Sequence, residues 1–149
     1  MGMFDSFNVN ASGLTAQRYR MDVIAENIAN ANTTRTEDGS PYKRKVVTFE
    51  EKNGGQPRFD TIFGRATERF KGHGVKVSGT FEDKKSEGNL VYDPSHPDAD
   101  ENGYVMYPNV NIITEMTNLI DASRAYEANA TAFDASKKIA QQGLSMGKS

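Results

Sequence analysis

The sequence predicts an α+β fold in which long N- and C-terminal helices pack as a coiled-coil-like pair, with a small, loop-rich β segment between them. Three observations predict it. Apolar residues recur every seven positions near both ends of the chain. All five prolines lie between residues 33 and 108. Short runs of β-branched and aromatic residues, bounded by glycine or proline, lie in that same middle.

The N-terminal helix is predicted from a single apolar stripe. Asp5, Asn8 or Ser12 could cap its start, and Gly13 is a candidate weak point. The stripe residues are spaced by seven, with one isoleucine beside them: Phe7, Leu14, Met21 and Ile28, with Ile24.

Three asparagines close to the end of this helix, Asn27, Asn30 and Asn32, need an explanation because asparagine is a mediocre helix former. Asn27 and Asn30 share a face, where their amides could satisfy exposed carbonyls or the backbone of a neighbour. Asn32 is predicted to end the helix in the left-handed conformation. The alternative is simple capping by amides that face solvent.

The C-terminal helix shows the same spacing over a longer stretch. Pro108 precedes it, Asn109 or Asn111 can cap it, and Glu115 complements the positive end of its dipole. The spacing predicts two columns of residues along its packing seam: Ile112, Leu119, Tyr126, Phe133 and Ala140 in one, and Met116, Ser123, Ala130, Lys137 and Leu144 in the other.

Four short strands are predicted between the helices. They cover residues 43–50, 73–82, 89–92 and 103–107, and turns are predicted at 38–41 and 52–57. The chain is therefore predicted to divide into three parts: an inner core of residues 1–32 and 109–149, a linker at 33–72, and an outer β-rich segment at 73–108.

The C-terminal helix is too long for a compact domain of this size. About 36 residues make a helix of roughly 54 Å, whereas 149 residues in a compact domain have a radius of gyration of roughly 15 Å. A seam containing Ser123, Ala130 and Lys137 would stabilise a lone helix pair weakly. Six alanines between residues 122 and 135 would let several helices approach closely, although alanine is also simply the best helix former. The sequence therefore predicts that the helices complete their packing between subunits.

Composition argues against several classes of function. A net charge of −2 and a pI near 5.7 give no basic surface for nucleic acid, and the lack of cysteine excludes disulfides and thiolate metal sites. No apolar run approaches a membrane span, and the N-terminus lacks the pattern of a secretory signal. The histidines, His73 and His96, belong to no metal or catalytic array. We expect no catalytic residues and no cofactor.

The strongest alternative comes from a different class, a calcium-binding coiled-coil interaction protein. Asp98, Asp100, Asn102 and Gly103 match positions 1, 3, 5 and 6 of a calcium loop. Asn109 stands at position 12, where such a loop needs a bidentate glutamate. An ordinary acidic turn is therefore the favoured interpretation of this run.

Two charged features have competing interpretations. The basic run at 43–45 could meet an acidic neighbour, although a solvated strand is favoured. Arg124 lies three residues from both Asp121 and Glu127, so an ion pair could orient it towards another subunit. Arg124 is accordingly predicted to be a buried contact between subunits.

Residues 12–33, SGLTAQRYRMDVIAENIANANT, resemble the N-terminal motif of the bacterial flagellar rod and hook axial protein family. That motif ends in N-x-A-N, here Asn27, Ala29 and Asn30, and Glu26 stands where many members have asparagine. The stretch from Leu90 to Phe133 is similar to the proximal-rod members of the family in particular. A distal-rod subunit is the alternative within the family, but it would have a longer middle domain.

The resemblance implies a structural subunit of the flagellar proximal rod, or drive-shaft. Its terminal helices would polymerise into a helical tube that transmits torque and encloses the export channel. The implied partners are further copies of itself, other proximal and distal rod proteins, the basal-body junction protein, and the MS ring with its export gate. The implied location is the periplasmic basal body, reached unfolded through the flagellar type III apparatus without a cleaved signal.

The residues expected to form the assembly interface combine these seams with the polar residues near them. In the N-terminal helix they are Phe7, Leu14, Met21, Ile24, Asn27, Ile28 and Asn30. In the C-terminal helix they are Ile112, Met116, Leu119, Ser123, Arg124, Tyr126, Asn129, Ala130, Phe133, Ala140 and Leu144.

Overall fold

The computed structural model describes residues 3–52 and 73–147, and within them it contains two helices and four strands. The α+β prediction is confirmed, and each predicted strand lies within two residues of its predicted bounds. Beyond Lys52, the turn predicted at 52–57 lies outside the described residues. In chain order the elements are α1 (Met3–Ala29), β1 (Lys45–Glu51), β2 (Val75–Glu82), β3 (Asn89–Tyr92), β4 (Tyr104–Tyr107) and α2 (Ile112–Met146).

The chain divides into two compact units, which we describe separately. Unit 1 takes its described residues from Met1–Arg18, Phe49–Ser78 and Ser123–Ser149, and unit 2 consists of Tyr19–Thr48 and Gly79–Ala122. The strands form two small sheets, one of β1 and β2 and one of β3 and β4. Neither α1 nor α2 is apolar enough over a sufficient length to cross a membrane.

In unit 1, the first half of α1 runs antiparallel to the second half of α2. The rings of Phe7 and Phe133 meet edge to face at 5.1 Å. One and a half turns further along α1, a Cβ added at Gly13 would lie 2.9 Å from the side-chain oxygen of Asn129. Gly13 therefore marks a close approach of two helices rather than the predicted weak point, and α1 continues through it.

The predicted N-caps of α1 are wrong. The helix begins at Met3, so Asp5, Asn8 and Ser12 lie inside it. The Ser12 hydroxyl instead donates to the carbonyl of Val9 at 2.7 Å and accepts the N–H of Val75 at 3.0 Å. Ser12 thus attaches the start of β2 to α1 within unit 1.

In unit 2, α1 ends without a left-handed residue. The N–H of Asn30 still donates to the carbonyl of Glu26 at 3.1 Å, and the N–H of Ala31 then donates to Ile28 at 3.2 Å. Among the described residues only glycines have positive φ, so the left-handed Asn32 is a wrong prediction. A tightened last turn satisfies these carbonyls instead, and this removes the need for such a residue.

The start of α2 confirms one of its two predicted caps. The side-chain oxygen of Asn111 accepts the N–H of Thr114 at 3.1 Å, which is the bond expected of an N-cap. Asn109 binds neighbouring loops instead: it accepts the N–H of Arg44 and donates to the carbonyls of Asp83 and Ser86.

The acidic run before β4 forms a turn. One oxygen of Asp100 accepts the N–H groups of Asn102 and Tyr104 at 2.9 and 2.8 Å, and Gly103 adopts a φ of 80°. Asp98 accepts the hydroxyl of Thr34 at 2.8 Å. Within residues 3–52 and 73–147, no three or more His, Cys, Asp or Glu side chains are grouped to hold a metal ion. The calcium alternative therefore gains no support.

Candidate assembly interface

The side chain of Asn27 makes four hydrogen bonds in unit 2. It is buried, and its amide oxygen accepts the Tyr42 hydroxyl and the Lys45 N–H, both at 2.9 Å. Its amide nitrogen donates to the Lys45 carbonyl at 2.8 Å and to Glu115 at 3.1 Å. One amide therefore uses its full hydrogen-bonding capacity to join α1, β1 and α2.

Glu115 is equally buried and carries the second half of this polar cluster. Its Oε1 accepts the Nε and Nη2 of Arg44 at 2.9 and 2.7 Å, while its Oε2 accepts the amide of Asn27. Asn118 also donates to Glu115, at 3.3 Å. A guanidinium that donates two N–H groups to one carboxylate has a fixed orientation, so the pair constrains geometry as well as charge.

These contacts correct two predictions. Glu115 was expected only to complement the helix dipole, yet it is the buried acid of an ion pair. The basic run at 43–45 was expected to be a solvated strand, yet Arg44 pairs with Glu115 and Lys45 pairs with Glu26. The solvent-facing alternative for the asparagines also fails at Asn27. It describes Asn30 better, since that half-buried amide caps the carbonyl of Glu26.

The cluster has more influence on geometry than on net stability. The attraction within a buried ion pair offsets little more than the free-energy cost of removing its charges from water. If the pair is misaligned, that cost is not offset. A shift of α1, β1 or α2 within unit 2 would separate Asn27 and Glu115 from these partners. We infer that the cluster selects the register of the three elements.

The phenol of Tyr42 belongs to the same cluster and has a raised pKa. Burial, followed by the negative charges of Glu26 and Glu115, raises the pKa of Tyr42 from 10.0 to about 12. Burial and both carboxylates oppose the phenolate in the folded chain, and an unfolded chain lacks these effects.

Stability should therefore fall as the pH rises through this window. Between pH 10 and about 12, Tyr42 ionises in the unfolded chain but stays protonated in the folded chain. This difference in ionisation favours unfolding. The chain with Tyr42→Phe lacks this effect, so its free energy of unfolding should fall less between pH 9 and 11.5. Urea unfolding at a series of pH values measures both slopes, and equal slopes would contradict the assignment.

The face of α2 that packs against the rest of the chain is shifted from the predicted seam by one residue. The predicted column of Leu119, Tyr126, Phe133 and Ala140 is half-buried, as expected. In the predicted second column, Met116, Lys137 and Leu144 are exposed in the single chain, so this column does not pack within the chain along its length, and its part in an interface between subunits stays a prediction. The second inward column is instead Glu115, Ala122, Asn129 and Ser136.

The other predicted interface residues divide between packed and exposed positions. In α1, Ile24 is buried, and Phe7, Leu14, Met21 and Ile28 are half-buried. In α2, Ser123 and Ala130 are half-buried and Ile112 is exposed. Arg124 is exposed, and within the described part of the chain it forms no ion pair with Asp121 or Glu127. The ion pair that was expected to orient it is therefore absent.

Among the described residues, three of the surfaces that expose apolar side chains are candidates for contact between subunits. The first, called here the outer α2 face, consists of Ile113, Met116 and Ile120 in unit 2, which lie on one side of the helix. The second, the hairpin face, consists of Leu90, Tyr92, Tyr104 and Met106 on one side of the β3–β4 sheet. The third, the α2 end, is residues 137–147 of unit 1, where Ile139 and Leu144 are both 67% exposed. Exposed apolar side chains grouped in this way make the three surfaces candidates for contact with other molecules.

Sequence reasoning missed Tyr42, Arg44 and the structural role of Glu115 as the buried acid of the cluster. Glu115 lies one residue from Met116, and a search for apolar periodicity prefers the methionine. Asn27 itself is the residue that could have indicated the cluster, because an amide buried in a helix needs several polar partners elsewhere in the chain.

Two models of known families match the two ends of the chain. Residues 7–35 match "Flagella basal body rod protein", and residues 101–146 match "Flagellar basal body rod FlgEFG protein C-terminal". The first match contains Asn27, and the second contains Glu115.

Curated proteins resemble the chain over nearly its whole length. A protein of Bacillus subtilis is 45% identical over 99% of this chain and 100% of its own, and one of Borreliella burgdorferi is 44% identical over 98% of each. One of Salmonella typhimurium is 38% identical over 99% of this chain and 100% of its own. All three are named flagellar basal-body rod protein FlgC.

Proposed function

The chain belongs to the FlgC family of flagellar basal-body rod proteins and is a structural subunit of the rod, and from this premise we propose that it polymerises through α1 and α2 into a helical tube. The observation that carries the proposal is the distribution of side chains on α2. This helix turns Glu115, Asn129 and Ser136 inwards and leaves Ile113, Met116 and Ile120 outside. A helix that exposes its isoleucines has a second packing partner.

The outer α2 face is suited to contact between copies. Its three side chains are separated by three and four residues, so they form a continuous apolar strip on one side of the helix. A strip that packs on a different surface of the next subunit makes a heterologous contact, and such a contact produces a helical tube or filament when its rotation does not close into a ring. Many such contacts loaded together would transmit torque as a drive-shaft.

The remaining parts of the proposal are what membership of the family implies. The terminal segments 1–32 and 109–149 would form the inner core around the export channel, with residues 33–72 as a linker and 73–108 outside. The partners would be copies of this chain, the other proximal and distal rod proteins, the basal-body junction protein and the MS ring with its export gate. The subunit would reach the periplasmic part of the basal body through the flagellar type III apparatus. It would act without catalysis or cofactor.

Replacement in a living rod tests the proposal. The chain would be expressed in Bacillus subtilis that lacks its own FlgC, and purified basal bodies would be probed for it by mass spectrometry. We expect the unmodified chain to be incorporated and to restore swimming. The chain with Ile113→Ser and Ile120→Ser should be excluded, because both side chains are exposed in the single subunit and are needed only by a neighbour.

Stability of the purified chain provides the control. The double variant should unfold at the same urea concentration as the unmodified chain, whereas the matched variant Leu119→Ser, on the packed side of α2, should unfold earlier. If the unmodified chain is absent from basal bodies, or if the double variant is incorporated normally, the proposal fails. Calorimetry with calcium should show no binding, and a site at Asp98 and Asp100 would restore the calcium alternative.

A further inference from the structure

The hairpin face is an apolar surface with an ordered arrangement. The register of β3 and β4 places Leu90 opposite Met106 and Tyr92 opposite Tyr104. The two tyrosine rings meet edge to face with their centroids 5.2 Å apart, yet Tyr92 is 65% exposed. Neighbouring strands thus present two cross-strand pairs on one side of a small sheet, and the single chain leaves them uncovered.

Carboxylates lie beside this face at the end where β3 stops and β4 starts. The N–H of Asp93 donates to the carbonyl of Gly103 at 2.9 Å, and the side chain of Asp93 accepts both the N–H and the hydroxyl of Ser95. Asp100 is held by the N–H groups of its own turn, and Glu101 follows it, exposed. The hydrogen bonds from Ser95 lower the pKa of Asp93, so this carboxyl stays charged.

This acidic character extends along the surrounding sequence. From Ser86 to Ser123 there are seven acidic side chains and no lysine or arginine. Two of the seven have basic partners from elsewhere in unit 2: Arg35 lies 3.8 Å from Asp98, and Arg44 pairs with Glu115. The rest of the chain holds all 18 basic side chains against 13 acidic ones, a formal charge of +5. Charge is therefore segregated within one chain.

The α2 end has the opposite character. After Asp134 the sequence contains Lys137, Lys138 and Lys148 and no acidic side chain. Every residue from 141 to 147 is exposed. Lys137 and Leu144, two turns apart, lie on one side of the helix, so one face presents both a positive charge and an apolar group.

We propose that the hairpin face of one copy binds the α2 end of a second copy, with Leu144 covered by the tyrosine, leucine and methionine side chains and Lys137 facing the carboxylates. The two surfaces complement each other in both polarity and charge. They are different parts of the chain, so the contact is heterologous and can repeat along an assembly. The inference rests on the proposed polymerisation and names a second pair of surfaces that takes part in it.

Cross-linking between full-length chains tests the contact. The chain has no cysteine, so Asn102→Cys beside the hairpin face and Gln141→Cys on the α2 end can be introduced into separate copies. When equal amounts of the two are mixed with a short bismaleimide, the mixed dimer should exceed either identical-chain dimer by well over the twofold ratio that random pairing gives. A matched pair with Thr48→Cys, an exposed position on β1 outside the three apolar surfaces, in place of Asn102→Cys should give no such excess.

Exchanging the charges distinguishes a specific contact from non-specific association. Glu101→Lys in the hairpin copy should lower the yield of mixed dimer at least about fivefold, because it sets like charges together. Lys137→Glu in the other copy should restore the yield. Raising the salt to 1 M, where the screening length is about 3 Å, should weaken the unmodified pair. Leu90→Ser with Met106→Ser should lower the yield without any change of charge.

The outcomes distinguish this inference from the proposed function. No excess of mixed dimer, or no rescue by the charge exchange, would overturn the contact even if the chain is incorporated into basal bodies. If the chain forms this contact in solution but never enters a rod, the proposed function fails and the contact stands. If each hairpin copy cross-links only to an identical hairpin copy, the face binds symmetrically and the inference is wrong.

Discussion

Asn27→Leu is expected to lower the free energy of unfolding by about 3–5 kcal/mol, since it removes one amide from four hydrogen bonds at once. The leucine side chain keeps the number and branching of heavy atoms and is not smaller than the asparagine side chain, so the loss does not report a cavity. The N–H and carbonyl of Lys45, the Tyr42 hydroxyl and one oxygen of Glu115 would all remain inside unit 2 without this partner. Urea unfolding followed by circular dichroism measures the change.

Asn30→Ala is the matched control. Asn30 belongs to the same N-x-A-N ending, but its half-buried amide donates to the Glu26 carbonyl within its own helix and accepts the Thr33 hydroxyl. Removing the Asn30 amide should lower the free energy of unfolding by about 1 kcal/mol. If the two substitutions prove equally costly, Asn27 is an ordinary helix-end residue and the register-selecting role of the cluster is wrong.

Glu115→Ala should also lower the free energy of unfolding by about 3–5 kcal/mol. It leaves Arg44 with no carboxylate partner in the cluster and removes one hydrogen bond of Asn27. Removing one member of a buried pair costs more than removing both. The double variant Glu115→Leu with Arg44→Met should therefore recover most of the lost stability. Unfolding of the unmodified chain, Glu115→Leu, Arg44→Met and the double variant forms a complete cycle.

The double variant also separates stability from register. It supplies apolar groups that pack at more than one offset, whereas the ion pair is satisfied at one. We expect its amide resonances to be broader around residues 44 and 115 than those of the unmodified chain, although its stability is close to normal. A chain that is both stable and uniquely ordered would show that apolar packing alone selects the register.

The sequence alone determined the order and type of the elements. Both helices and all four strands of the described chain were predictable, since the spacing of apolar residues and the positions of proline and glycine are local properties. The column of Leu119, Tyr126, Phe133 and Ala140 was predictable for the same reason. The family was also recognisable, because the residues that carry the resemblance are contiguous in the sequence.

Only the tertiary structure decided which polar residues are buried. Glu115 and Asn27 are 88 residues apart, and Arg44 lies between them in the sequence, just before β1. No local pattern therefore shows that these side chains bind one another. The apolar periodicity predicts that Met116 is packed rather than Glu115. In the structure Glu115 is the buried residue, because it pairs with Arg44 and accepts a hydrogen bond from the Asn27 amide. The burial of a polar group depends on its partners, and partners distant in the sequence are brought together only by the fold.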